Sequence, residues 1–214
     1  MRSIIIPLII LSFVVMADSL LTDIDPKRTD TGYFPPLQNR EVLYNQAYTG
    51  NMDNAGQGDD LYLRAEDFVL DEVGCIESIE WWSVYIGTQS DTFHLRIYDD
   101  NDSSPGTLLW EVPAITAVNT DTGDDFTSYN IYQSLITLDP ADYFQTEEDQ
   151  IYWFSMYYNG SGFYWGLLTE DGNMALSYDG GGWSSLEWIG FFRLNGTSNQ
   201  ALEATTWGAI KTAL

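Results

Sequence analysis

The sequence predicts an all-β fold, an antiparallel two-sheet β-sandwich of jelly-roll-like layout with about ten strands, and three observations carry that expectation. Short apolar or alternating runs recur from Val42 onward between turn residues: VLYNQAY, AEDFVL, IESIEWWSVYI, TFHLRIY, TLLWEV, FTSYNIYQSLITL, QIYWFSMYY, FYWGLL, MALSY and IGFFRL. No helical period interrupts them, and 44% hydrophobic residues in a chain of 214 suffice to bury a core without disulfides or metals. Two of the runs, around Trp81 and Trp153, are apolar on both sides of the strand, as central strands are.

Residues 1–17, MRSIIIPLIILSFVVMA, combine one basic residue, an apolar run and a small residue at the end. That pattern reads as a secretory signal cleaved after Ala17, and the run is short for a bilayer span. Residues 18–40 are polar and proline-bearing, and read as a linker or draped arm. Residues 41–196 form the sandwich domain. Within it, Cys75 to Asp100 reads as a β-hairpin: Ile79, Trp81, Ser83 and Tyr85 alternate with Glu80, Trp82, Val84 and Ile86 on the first arm. On the second arm Phe93, Leu95 and Ile97 face a core, while His94, Arg96 and Tyr98 face water. Pro105-Gly106 suits a tight turn, and Asn159-Gly160 with Ser161-Gly162 signals a hairpin between two aromatic strands. Gly180 to Gly182 form a loop before Trp183. Residues 197–214 form a tail in which Trp207, Ile210 and Leu214 share one side of a short helix, a docking segment or a strap packed on the sandwich.

Charge narrows the partners. With 32 acidic against 8 basic residues the net charge is −24, a field that repels nucleic acid and anionic membrane surfaces. Beyond the leader no apolar run of membrane length occurs. The acids gather in turns, and Asp99, Asp100, Asn101 and Asp102 are the most metal-like group. Counted from Asp100, oxygens stand at the first, third, fifth and twelfth places of a helical calcium loop, but Pro105 occupies the sixth, where that loop needs glycine. The helical loop is therefore rejected. A β-sandwich calcium site built from Asp99, Asp100, Asn101 and Asp102 is the candidate, against a reading as solvated turn acids.

Cys75, the single cysteine, has no internal disulfide partner and reads as a small buried hydrophobe. His94, the single histidine, is placed mid-strand on the wet face, and a multi-histidine metal site is ruled out. Paired carboxylates could hydrolyse a glycoside, but no pair among the 32 acids is singled out. Aromatics make up 15% of the chain, more than a sandwich core needs. Tyr164, Trp165, Tyr178, Trp183 and Trp188 lie in or beside late turns and are the candidate platform for stacking sugars, with Asn173 or Asp179 bonding hydroxyls. The alternative is that they pack the core and sheet faces.

The runs RAEDFVL, IESIEWWSVYIG and DTFHLRIYDDNDSSPGTLLWEV resemble a module of secreted bacterial surface proteins, similar in layout to jelly-roll carbohydrate-binding domains. The resemblance spans roughly residues 42–196 and implies secretion and a β-sandwich, with no ligand or catalytic residue to carry over. The sequence thus predicts a secreted, non-catalytic binding or surface module for extracellular polysaccharide or a surface protein, calcium-stabilised if the turn acids converge. A self-associating subunit of an extracellular assembly and a carboxylate glycosidase are the alternatives.

Overall fold

In the computed structural model, which describes residues 40–87, 92–158, 162–168, 174–178 and 181–198, the chain forms strands and one 3-10 turn at Pro140–Asp142. The first eight strands are β1 (Glu41–Gln46), β2 (Asn54–Gln57), β3 (Tyr62–Val69), β4 (Gly74–Tyr85), β5 (Thr92–Asp100), β6 (Pro105–Thr116), β7 (Val118–Phe126) and β8 (Tyr129–Thr137). The next seven are β9 (Phe144–Gln145), β10 (Ile151–Tyr157), β11 (Phe163–Leu168), β12 (Met174–Tyr178), β13 (Trp183–Leu186), β14 (Ile189–Gly190) and β15 (Phe192–Ser198). They build two antiparallel sheets, one of nine strands and one of six, and the sandwich expectation is borne out. The strand count is higher than the expected ten, because β2, β7, β9, β13 and β14 are too short or too polar to stand out. β7, VNTDTGDDF, reads as a string of turn acids, yet among the described residues it is an edge strand pairing with β8 and leaves its carboxylates in water.

The nine-stranded sheet is organised on β4. One edge of β4 pairs with β15 and then β11, the other with β9 and then β8. Both faces of β4 are covered, as its two-sided apolarity requires. Ile79, Trp81 and Tyr85 enter the core between the sheets, while Trp82 and Val84 join Met52, Ile131 and Phe191 in a second cluster on the outer face. The six-stranded sheet runs β13-β12-β3-β10-β5-β6, with β10 between β3 and β5 as its aromatic character predicts. Phe154 of β10 meets Phe192 of β15 across the sandwich, ring centroids 5.3 Å apart.

Neither expected hairpin forms. β4 and β5 belong to different sheets, and so do β10 and β11, so both connections cross the sandwich as arches. Alternating patterns look alike in a hairpin and an arch; the partner decides, and β4 finds better partners in β8 and β15 than in its neighbour. The two crossings meet where Ile86 N–H donates to Gly162 O at 2.7 Å. Gly162 has φ +99, and a Cβ there would strike the Ile86 carbonyl, so this junction requires glycine. A hairpin does join β5 to β6, but its turn is Asp102-Ser103, with φ of 56 and 63, and Pro105 already begins the strand. Gly106 serves another purpose: a side chain there would collide with the Asp99 carboxylate.

The proposed leader and the part of the tail beyond Ser198 lie outside the described residues, as does the linker up to Asn39. Thr197 and Ser198, assigned to the tail by sequence, belong to β15 and pair with Cys75 and Gly74. Among the described residues no helix is long and apolar enough to cross a membrane.

Candidate functional site

Among the described residues, the aromatics expected to form a platform between residues 164 and 188 are not brought together on one face. Strand alternation sends Tyr164 and Trp165 to opposite faces of β11. Trp165 is wholly buried between the sheets, where its Nε1–H donates to Phe191 O at 2.9 Å, so it is core and offers no face to a ligand. Tyr164 is half-buried in the outer cluster around Trp82. Trp188 packs against the core with the Arg64 guanidinium 5.6 Å from its ring centroid. Tyr178 ends β12 opposite Tyr62, while Asn173 and Asp179 lie outside the described residues. Trp183, on β13, packs on the outward face of the six-stranded sheet.

The acidic turn is closed on itself. Asp99 and Asp100 point to opposite sides of β5, as successive strand residues must. Asp99 accepts the Thr107 N–H, whereas Asp100 accepts Trp153 Nε1–H at 2.8 Å and Ser103 N–H at 3.4 Å. Asn101 N–H donates to Ser104 O, and the Ser104 hydroxyl donates back to Asn101 O, both at 2.8 Å. Asp102 is exposed at the left-handed corner. Among the described residues no three or more His, Cys, Asp or Glu side chains are gathered as a metal site would need.

What the fold does assemble is the outward face of the six-stranded sheet. Direct pairings place Glu111, Arg96, Ser155, Ala65, Ala175 and Ser185 in one row across β6, β5, β10, β3, β12 and β13. Four of these six side chains are small, so the row is a groove crossing the strands. On one side stand Tyr98 and Trp153, a direct pair; on the other stand His94 and Tyr157, also a pair. The His94 and Tyr157 rings stack at 4.7 Å with 13° between planes, and the Arg96 guanidinium lies 4.8 Å from the Tyr157 centroid. Arg96 Nε–H donates to Glu111 at 2.7 Å, and its Nη2–H donates to Tyr157 Oη at 3.1 Å. Burial pulls the Arg96 pKa down, but the Glu111 hydrogen bond and the flanking phenols win and raise it. Burial likewise raises the Tyr98 phenol, with Arg96 pulling the other way.

The groove has a roof. Tyr98 and Trp183 start from strands four places apart, a separation of about 19 Å in a flat sheet, yet their rings meet edge to face at 5.8 Å. They do so by leaning inward over Ala65 and Ala175, with which they form one apolar cluster together with Trp153. Ala65 and Ser155 are both 0% exposed, and Ser155 Oγ has no hydrogen-bond partner. Trp183 remains half-buried, its outer surface open to solvent. The outward set His94, Arg96 and Tyr98 is legible from alternation; Tyr157, Ser155, Glu111 and Ala65 are not, since only strand pairing brings them alongside.

Two further polar sites lie elsewhere. Inside the sandwich, Glu66 of β3 accepts Gln46 Nε2–H at 3.0 Å and Gly190 N–H at 3.1 Å, and burial pushes its carboxyl up to about 8 despite both bonds. Tyr44 and Asp67 flank it; the Tyr44 phenol is itself raised by burial and by these two carboxylates, and donates to Gln46 Oε1 at 2.7 Å. Arg64, on the same side of β3, is lowered to about 10 by burial and donates to Gln57 O at 2.9 Å. On the outer face of the nine-stranded sheet, Glu80 accepts hydrogen bonds from Gln133, Arg193 and Asn195. Beyond it Cys75 is half-buried rather than fully enclosed, at a cavity of about 210 Å³ also lined by Glu77, Tyr143, Gln145 and Thr197.

Comparison with protein-family models, with curated proteins and with solved structures returns no match for this chain.

Proposed function

We propose that the chain is a secreted, non-catalytic binding module that holds an extracellular polysaccharide on the outward face of its six-stranded sheet. The observation that supports this reading is the juxtaposition of a half-buried Trp183 with the edge of Tyr98, beside the Arg96–Glu111 pair and the His94–Tyr157 stack. A sugar ring has an apolar face and a polar rim, so it needs an indole to lie on and planar polar groups to bond its hydroxyls. A net charge of −24 favours neutral or basic glycans over anionic ones. The test is a glycan array with the wild type and Trp183→Ala. Binding of neutral glycans that Trp183→Ala loses while its melting temperature holds supports the reading; a blank array for the wild type overturns it.

One observation favours a second reading, a self-associating subunit of an extracellular assembly. The same face carries three exposed apolar side chains, Leu108 beside Tyr98 and the paired Val69 and Ile151. Concentration-dependent self-association in sedimentation equilibrium, abolished by Leu108→Lys, would replace the glycan reading with this one.

A further inference from the structure

We infer that the groove across Ser155, Ala65 and Ala175 is a closed subsite for one pyranose ring of a neutral polysaccharide, and that Trp183 is its lid. The inference rests on the glycan reading and adds to it where the ring sits and what must move. Three independent features meet at this place. The floor is made of two methyl groups, Ala65 and Ala175, paired directly in register, an apolar surface of the kind a pyranose face covers. At its β10 end lies Ser155 Oγ, wholly buried and without a partner, in a row that continues to Arg96 and Glu111. A buried hydroxyl left unbonded costs free energy that native folds rarely leave uncompensated, and a sugar hydroxyl is a group able to supply the bond.

The third feature is the roof itself. Trp183 sits on β13, a four-residue strand that among the described residues is an edge pairing with β12 alone, and its ring crosses the sheet to reach Tyr98. Its anchor is therefore the least supported strand of the sheet, and the small residues beneath it leave room once it turns away. Rotation of Trp183 away from Tyr98 opens the side of the cluster above Ala175 and Ala65, with Ser155 next in the row, and the indole then lies on the opposite face of the incoming ring. The floor supplies one apolar face, the indole the other, and Ser155 bonds the rim.

The experiment titrates cellohexaose, xylohexaose and chitohexaose against the full chain by calorimetry and by tryptophan fluorescence. Four proteins are compared: wild type, Trp183→Ala, Ser155→Ala and Ala65→Leu. Ser155→Ala removes a hydroxyl that bonds nothing in the free protein, so its melting temperature should not fall, while affinity should drop roughly five- to tenfold, the worth of one neutral hydrogen bond. Ala65→Leu fills the floor and should abolish binding; if it fails to fold, Ser155→Ala alone decides. Wild-type affinity in Ser155→Ala with lost affinity in Trp183→Ala overturns the closed subsite and leaves the glycan face standing. No binding of any hexasaccharide by the wild type, together with a blank array, overturns both.

Discussion

Trp81 and Phe93 face each other across the sandwich, ring centroids 4.8 Å apart and planes at 76°, although they stand on strands consecutive in the chain. The contact is edge to face between two wholly buried rings, one from each sheet. It forms because the chain between β4 and β5 crosses from one sheet to the other instead of turning back beside itself. Phe93→Ala should therefore destabilise the whole domain by about 3–5 kcal/mol, the range for emptying a buried aromatic site. A urea melt checks it, and a loss under about 1 kcal/mol would place Phe93 outside the shared core.

Glu66 sets a pH dependence whose sign follows from its environment. Its folded pKa is raised to about 8 from 4.5, so the native state holds a proton the unfolded chain has released between those values. Stability contributed by the neutral carboxyl is full below pH 4.5 and is lost as pH rises toward and through 8. Glu66→Gln keeps the shape without the charge, so the difference in urea midpoint between variant and wild type should grow from about pH 5 to about pH 9 in favour of the variant. A difference that stays constant across that range would sink the idea.

The acidic turn makes a prediction about calcium. Since Asp99 and Asp100 diverge and each already accepts a hydrogen bond, added calcium chloride should raise the melting temperature no more than sodium chloride at matched ionic strength. A specific calcium increment lost in Asp100→Asn with Asp102→Asn would instead establish an ion site at this turn.

Gly162 should tolerate no side chain. With φ +99 and the Ile86 carbonyl in the path of any Cβ, Gly162→Ala is expected to cost more than the roughly 1 kcal/mol of left-handed strain alone. The neighbouring Gly87, at φ 98 with nothing within 4 Å, supplies the control: Gly87→Ala should show the backbone strain without the collision. Equal losses in the two melts would remove the collision from the account.

Much of the architecture is legible because burial writes itself into alternation. Phe93, Leu95 and Ile97 point inward and His94, Arg96 and Tyr98 outward, as their sequence pattern requires. The two-sided apolarity of β4 and β10 marks both as central strands. What alternation cannot contain is the partner. Trp165 reads as part of a platform because it neighbours Tyr164 and precedes a turn-rich stretch, but a tryptophan packed on Phe154 and Phe192 is core, and that packing depends on β10 and β11 lying in opposite sheets, which the pattern does not show. The groove on the outward face is illegible for the same reason: Ser155, Ala65, Ala175 and Ser185 are unremarkable singly, and only register makes them a row. Glu66 is hidden because a carboxylate within a strand reads as solvated until the opposing sheet is known.

The position of β15 governs when the domain can be completed. It lies between β1 and β4, so the strand made last among the fifteen closes a gap between strands made near the beginning. Until Ser198 has left the ribosome, β1 lacks β15, its partner among the described strands, and β4 offers a long apolar margin to whatever chain lies nearby. Completion of this sheet therefore waits for β15 and is limited by a long-range search rather than by local zippering, and the nascent chain is most vulnerable to misassociation just before that strand appears.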